Sequence, residues 1–101
     1  MPTINGTDIH KVVVACDAGM GSSVMLASQL RRQLGGSVTV EHTPVSAIPA
    51  DADVVVVHRG LADRARAVAP NTVIVPVQVF IGDPAVNSIV AAVKAGSDLN
   101  G

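Results

Sequence analysis

Two runs of consecutive apolar residues, Val12-Val13-Val14-Ala15 and Val54-Val55-Val56-Val57, constrain this chain more than anything else in it. A strand with no polar alternate position has to be covered on both faces, which calls for a parallel sheet between layers of helix. The spacing between these runs turns helical. Val24, Ala27, Leu30 and Leu34 recur at steps of three and four, predicting one apolar face. Arg31 and Arg32 complement the C-terminal dipole of that helix, and Gly35-Gly36 ends it. A strand over Ser37–His42 follows, with Val38, Val40 and His42 alternating against Thr39 and Glu41, the pattern of a wetter sheet edge.

Pro44 and Pro49 bracket Val45-Ser46-Ala47-Ile48, a loop with room for one helical turn. Beyond the second valine run, Leu61, Ala62, Ala65, Val68 and Ala69 mark another helical face, closed by Pro70-Asn71. Thr72–Val77 reads as a strand, and Pro76, which cannot donate to a ladder, makes it an edge. Asp83-Pro84 opens a last helix that buries Val86, Ile89, Val90 and Val93 and frays after Gly96. The expected fold is therefore α/β, a single three-layer, Rossmann-like domain. Its four parallel strands take the order 2-1-3-4, with helices on both faces and a switch point between the first and third strands. The domain is expected over residues 11–97, with a flexible leader over 1–10 and a tail over 98–101.

The loop between the first strand and first helix carries the chemistry: Cys16-Asp17-Ala18-Gly19-Met20-Gly21-Ser22-Ser23. A thiol at a strand's carboxyl end, followed by a Gly/Ser-rich turn into a helix N-terminus, describes an anion site with a nucleophile inside it. The first N–H groups of that helix lack intrahelical partners, and its dipole adds positive potential. Gly19 and Gly21 let the loop turn its N–H groups inward as a nest. The same field activates the sulfur of Cys16, and the natural cargo is a phosphoryl group. A buried small hydrophobe is the bland alternative for a lone cysteine, and the loop around it argues against that.

Around this loop the other candidates rank lower. The order 2-1-3-4 sets the His58-Arg59 loop beside Cys16. Arg59 suits phosphate oxygens, against a solvated arginine paired with Asp63; His58 can shuttle protons or only bond locally. His42 and His10 have no neighbours in sequence that suggest a site. Asp17 repels an incoming phosphate and is expected to point outward or to be tied to a backbone donor. Ser22 and Ser23 can donate to the anion and cap the helix together. Met20 and Met25 read equally as partner contacts or core filler.

Composition narrows the classes further. A length of 101 residues supports one core, 49% of them hydrophobic, with Phe80 the sole aromatic and a net charge of −1. Nucleic-acid binding wants basic stripes and stacking platforms, so this composition argues against it. One cysteine rules out an internal disulfide and a multi-cysteine metal site, and the three histidines are dispersed. No metal and no cofactor is expected. No apolar run reaches membrane-spanning length, and residues 1–10 lack a signal-peptide core. A soluble cytoplasmic chain without membrane insertion is the expectation.

The run Val12–Ser23 resembles the active-site signature of the enzyme IIB component of the bacterial sugar phosphotransferase system, in the lactose/cellobiose-type superfamily. It is most similar to the mannitol branch. The likeness extends through Asp51-Ala52-Asp53 and His58-Arg59-Gly60-Leu61, over roughly residues 11–95. The resemblance implies that Cys16 accepts a phosphoryl group from a phosphohistidine on enzyme IIA. It implies transfer onward to a sugar carried by the membrane component, enzyme IIC, with Asp17, Ala18, Gly19, Met20, Gly21, Ser22 and Ser23 as a phosphate-binding loop of P-loop character. The family's fold is also similar to that of the low-molecular-weight phosphatases, whose loop reads Cys, five residues, Arg, Ser/Thr. Here Ser22 stands at the arginine position, and Asp83-Pro84 reads as a helix start, not as a general acid. A phosphatase or arsenate reductase is thus the enzyme alternative, and a non-catalytic regulatory module that reads the phosphorylated state is the third class.

Overall fold

The computed structural model describes residues 3–16, 21–78 and 84–100. Among these residues lie six strands, β1 (Thr3–Asn5), β2 (Lys11–Cys16), β3 (Thr39–Pro44), β4 (Val54–His58), β5 (Val73–Val77) and β6 (Asp98–Asn100). The helices are α1 (Gly21–Leu34), α2 (Ala62–Val68) and α3 (Pro84–Ala95). Four strands form one sheet in the order β3-β2-β4-β5, all neighbours parallel. This is the expected 2-1-3-4 order. In it β2 is hydrogen-bonded on both sides: Val14 pairs with His42 of β3 and with Val56 of β4.

Alternation along the strands divides the core in two. Val12, Val14, Cys16, Val54, Val56 and Val75 pack with Leu26, Ala27 and Leu30 of α1 and Val86 and Ile89 of α3. Their neighbours Val13, Ala15, Val55, Val57 and Ile74 pack on the other face against Val45, Ile48 and the α2 residues Ala62 and Ala65. All of Val12–Val14 and Val54–Val57 are fully buried, each worth roughly 1.5–3 kcal/mol of transfer free energy. No polar alternate position exists because neither face meets water.

Boundaries moved where local geometry overrode pattern. β3 starts only at Thr39 because a 3₁₀ turn over Gly35–Ser37, entered through Gly35 at φ 72°, precedes it, and it runs on to Pro44, which pairs with Cys16. Val24 is half exposed, not core, because Leu26, Ala27, Leu30 and Leu34 already fill the face α1 turns to the sheet. Asp83, expected as the cap of α3, lies outside the described residues.

The two ends behave differently from a leader and a tail. β1 and β6 pair antiparallel, Thr3 with Asn100 and Asn5 with Asp98. The Asn5 amide donates to the Gly96 carbonyl (2.9 Å) and to Asp98 Oδ1 (3.0 Å), and Gly6 N donates to the Ser97 carbonyl at 2.8 Å. Sequence pattern misses such a pair because three-residue strands carry too few positions to show a period.

At the amino ends of the strands, polar groups form clamps. Asp53 Oδ2 accepts from the backbone N–H groups of His10 (2.8 Å) and Lys11 (2.9 Å), and Asp53 N returns a bond to the Lys11 carbonyl at 2.9 Å. The Lys11 ammonium bridges Glu41 (2.6 Å) and Asp51 (3.0 Å). Hydrogen bonds to Glu41 and then Asp51 hold the Lys11 pKa above its ordinary value, against a smaller opposing effect of desolvation.

Two outcomes are expected. A Cβ on Gly6 would lie 1.7 Å from the Ala92 carbonyl oxygen, so Gly6→Ala should lower the unfolding free energy by about 1–3 kcal/mol; an unchanged melting curve would mean the termini are not packed on α3 this way. Because the folded pKa of Lys11 is raised, its ion pairs stabilise fully below the ordinary lysine value, and that increment is lost as pH rises through the folded value. Stability measured against pH should therefore fall more steeply in the alkaline range for the wild type than for Glu41→Gln/Asp51→Asn.

Candidate active site

The clamps close one end of the sheet; the opposite, carboxyl ends of β2, β3 and β4 bring the reactive residues together. Cys16 is the last residue of β2, and α1 begins at Gly21. Its side chain belongs to the α1 face of the sheet and is 1% exposed. Gly21, Ser22 and Ser23 form the first turn of α1. Asp17, Ala18, Gly19 and Met20, the remainder of the expected phosphate loop, lie outside the described residues.

Cys16 is buried among apolar side chains, but its sulfur has a polar neighbour on the adjacent strand. Sγ lies 2.9 Å from Nε2 of His42. Register explains the encounter: Val14 pairs with His42 and Cys16 with Pro44, so His42 sits one pleat back on the same face of the neighbouring strand. From that diagonal position an imidazole reaches the sulfur. His42 is an exposed residue, although Val38 and Val40 before it on the same face are buried, and its contact with the sulfur is part-buried. His42 was the residue that sequence reasoning passed over. The signal was present in the alternation that put His42 on the face of Val38 and Val40, but it needed the register to become a contact.

His58 ends β4 on the other side of β2, where Val57 pairs with Ala15. Its Nδ1 accepts the Gly60 N–H at 3.2 Å and caps the 3₁₀ turn Arg59–Leu61 that leads into α2. That bond identifies Nδ1 as an acceptor and gives His58 a local structural task. Arg59 is exposed at this strand end, and its guanidinium makes no ion pair among the described residues; Asp63 pairs instead with Arg66 at 3.4 Å. His10 lies at the amino end of β2, away from the sulfur. Met25 is 63% exposed and Val24 50%, both early in α1, so Met25 is surface and not core filler.

Among the described residues, no group of three or more His, Cys, Asp and Glu side chains is placed to hold a metal ion. A hollow of about 240 Å³ between Ile48, Pro49, Val68 and Pro70 opens at the amino ends of β4 and β5, remote from Cys16. No helix among the described residues is long and apolar enough to cross a membrane.

Comparison with known proteins gives a consistent result. Residues 11–92 match the family described as "PTS system, Lactose/Cellobiose specific IIB subunit". The chain is 38% identical over 92 residues to the "PTS system mannitol-specific EIICB component" of Halalkalibacterium halodurans, covering 88% of this chain and 20% of that protein. It is 38% identical over 89 residues to the component of the same name from Bacillus subtilis, covering 85% and 19%. The "PTS system mannitol-specific EIICBA component" of Vibrio cholerae is 39% identical over 95 residues, covering 91% and 15%. The chain thus spans about a fifth or less of the length of these relatives.

The His58 cap is testable apart from any activity. His58→Ala leaves the Gly60 N–H without its acceptor and should cost about 0.5–1.5 kcal/mol in urea unfolding, whereas His58→Asn, a good capping residue, should recover most of it. Equal stability of all three proteins would remove the cap as the reason for a histidine here.

Proposed function

The chain belongs to the lactose/cellobiose-specific IIB subunits of the phosphotransferase system (PTS), and from that premise we propose that it is a phosphocarrier whose Cys16 holds the phosphoryl group. The observation that carries this reading is the position of the chain's one thiol. It ends a central strand, next to the switch point and just ahead of a helix N-terminus, where open α/β sheets present ligands. In the proposed reaction the sulfur attacks the phosphorus of a phosphohistidine on enzyme IIA, forming S–P as N–P breaks. The group then passes to a sugar delivered by the membrane component, enzyme IIC. Mannitol or a related hexitol is the proposed acceptor, from the names of the relatives.

The phosphate-binding role of Asp17–Ser23 is part of the same proposal. Backbone N–H groups of the loop and of the first turn of α1 would satisfy the anion, and the carboxylate of Asp17, which would repel that anion, is assigned to docking with the partner. Val24 and Met25, exposed just beyond that turn, supply apolar surface where a donor or acceptor protein can dock over the loop. A cytoplasmic setting follows from the chemistry, since a carrier thiol has to stay reduced. Ser22 occupies the position at which the phosphatases carry their arginine, so the loop lacks the clamp that drives attack by water. A carrier that keeps its cargo is favoured over a hydrolase.

Phosphotransfer from a phosphorylated IIA protein, read by intact mass, tests the proposal. One phosphoryl mass should appear and map to Cys16. Cys16→Ser should melt like the wild type and gain none. A phosphohistidine at His42 or His58, or rapid release of inorganic phosphate by the wild type alone, would overturn it.

A further inference from the structure

We propose that His42 is a catalytic residue of this transfer, the group that takes the thiol proton from Cys16 and later returns it. The inference rests on the phosphocysteine reading and adds to it a residue outside the loop. Three observations combine. Cys16 is buried, 1% exposed as a residue, so its thiol proton is better passed to a neighbouring group than to bulk water, and a bare thiolate there carries a desolvation cost. His42 Nε2 stands 2.9 Å away, within proton-transfer distance. His42 is an exposed residue whose contact with the sulfur is part-buried, so it stands between the buried thiol and solvent.

The other histidines are less suited. His58 uses Nδ1 to accept from Gly60, and His10 lies at the far end of β2. A histidine is the side chain able to accept and release a proton near neutral pH, and a thiol activated by an adjacent imidazole is a recurrent solution to the same chemical problem.

The step balances as follows. The S–H bond of Cys16 breaks and its proton moves to His42 Nε2. The sulfur electron pair forms the S–P bond, and the pair of the breaking P–N bond stays on the donor's ring nitrogen, which takes a proton from solvent. On the return, an acceptor hydroxyl attacks phosphorus and releases its proton to solvent. The S–P pair returns to sulfur, and the proton held by Nε2 goes back with it. Until then the imidazolium donates to the phosphocysteine, which steadies the charged intermediate.

Single-turnover transfer from a phosphorylated IIA protein to wild type, His42→Gln and His42→Ala, quenched rapidly and read by intact mass, tests this. Gln can keep a hydrogen bond to the sulfur but cannot take its proton, so it separates chemistry from positioning. Both variants should melt like the wild type, as befits an exposed edge residue, and both should be slower by about 10²-fold or more. The phosphoryl group should still end on Cys16, and imidazole added to the buffer should restore part of the His42→Ala rate. A wild-type rate in His42→Gln overturns the role of His42 and leaves the phosphocysteine intact. A wild-type protein that gains no phosphoryl mass overturns both.

Discussion

The structure depends on β2 being hydrogen-bonded on both edges and covered on both faces. Val12, Val13 and Val14 are fully buried, paired to β3 on one side and β4 on the other. A strand held on four sides has little freedom to slide, because a slip of one residue exchanges the residues facing α1 with those facing α2. Fixing β2 therefore fixes where its last residue emerges. Cys16 inherits its position from the valines behind it.

The sheet is chemically asymmetric along its strands, and the asymmetry separates stability from reactivity. At the amino ends, Asp53 and the Lys11 bridge to Glu41 and Asp51 lock the starts of β2, β3 and β4 to one another. Toward the carboxyl ends, the same three neighbouring strands carry Cys16, His42 and His58, and Cys16 and His42 are in contact. His58 shapes the backbone that carries Arg59 and opens α2, while His42 touches the sulfur. The two histidines flank β2 from opposite sides and divide the work between architecture and chemistry.

The strand order was legible because each strand advertised its burial: unbroken valine runs for β2 and β4, alternation for β3 and a proline at the β5 edge. Asp17–Met20 lie outside the described residues, but the place of the thiol was legible, since Cys16 ends β2 ahead of α1 as the pattern of strand, Gly/Ser-rich turn and helix predicts. His42 was not, since a sequence gives the face of a strand but not its stagger against the next one. Only when Val14 is known to pair with His42 does the diagonal to Cys16 exist. The β1–β6 pair escaped for a different reason: its partners stand at opposite ends of the chain, and what brings them together is the packing of Gly6 against α3.

The central claim is that one carboxyl-end pair, Cys16 with His42, carries and steadies the phosphoryl group. Ring ¹⁵N spectra of the chain's three histidines, taken before and after phosphorylation, address it most directly. The account predicts that the His42 ring responds most strongly, with a proton fixed on Nε2 in the phosphorylated protein, while His10 is unmoved. A His42 ring that does not change when Cys16 carries the phosphoryl group would contradict it.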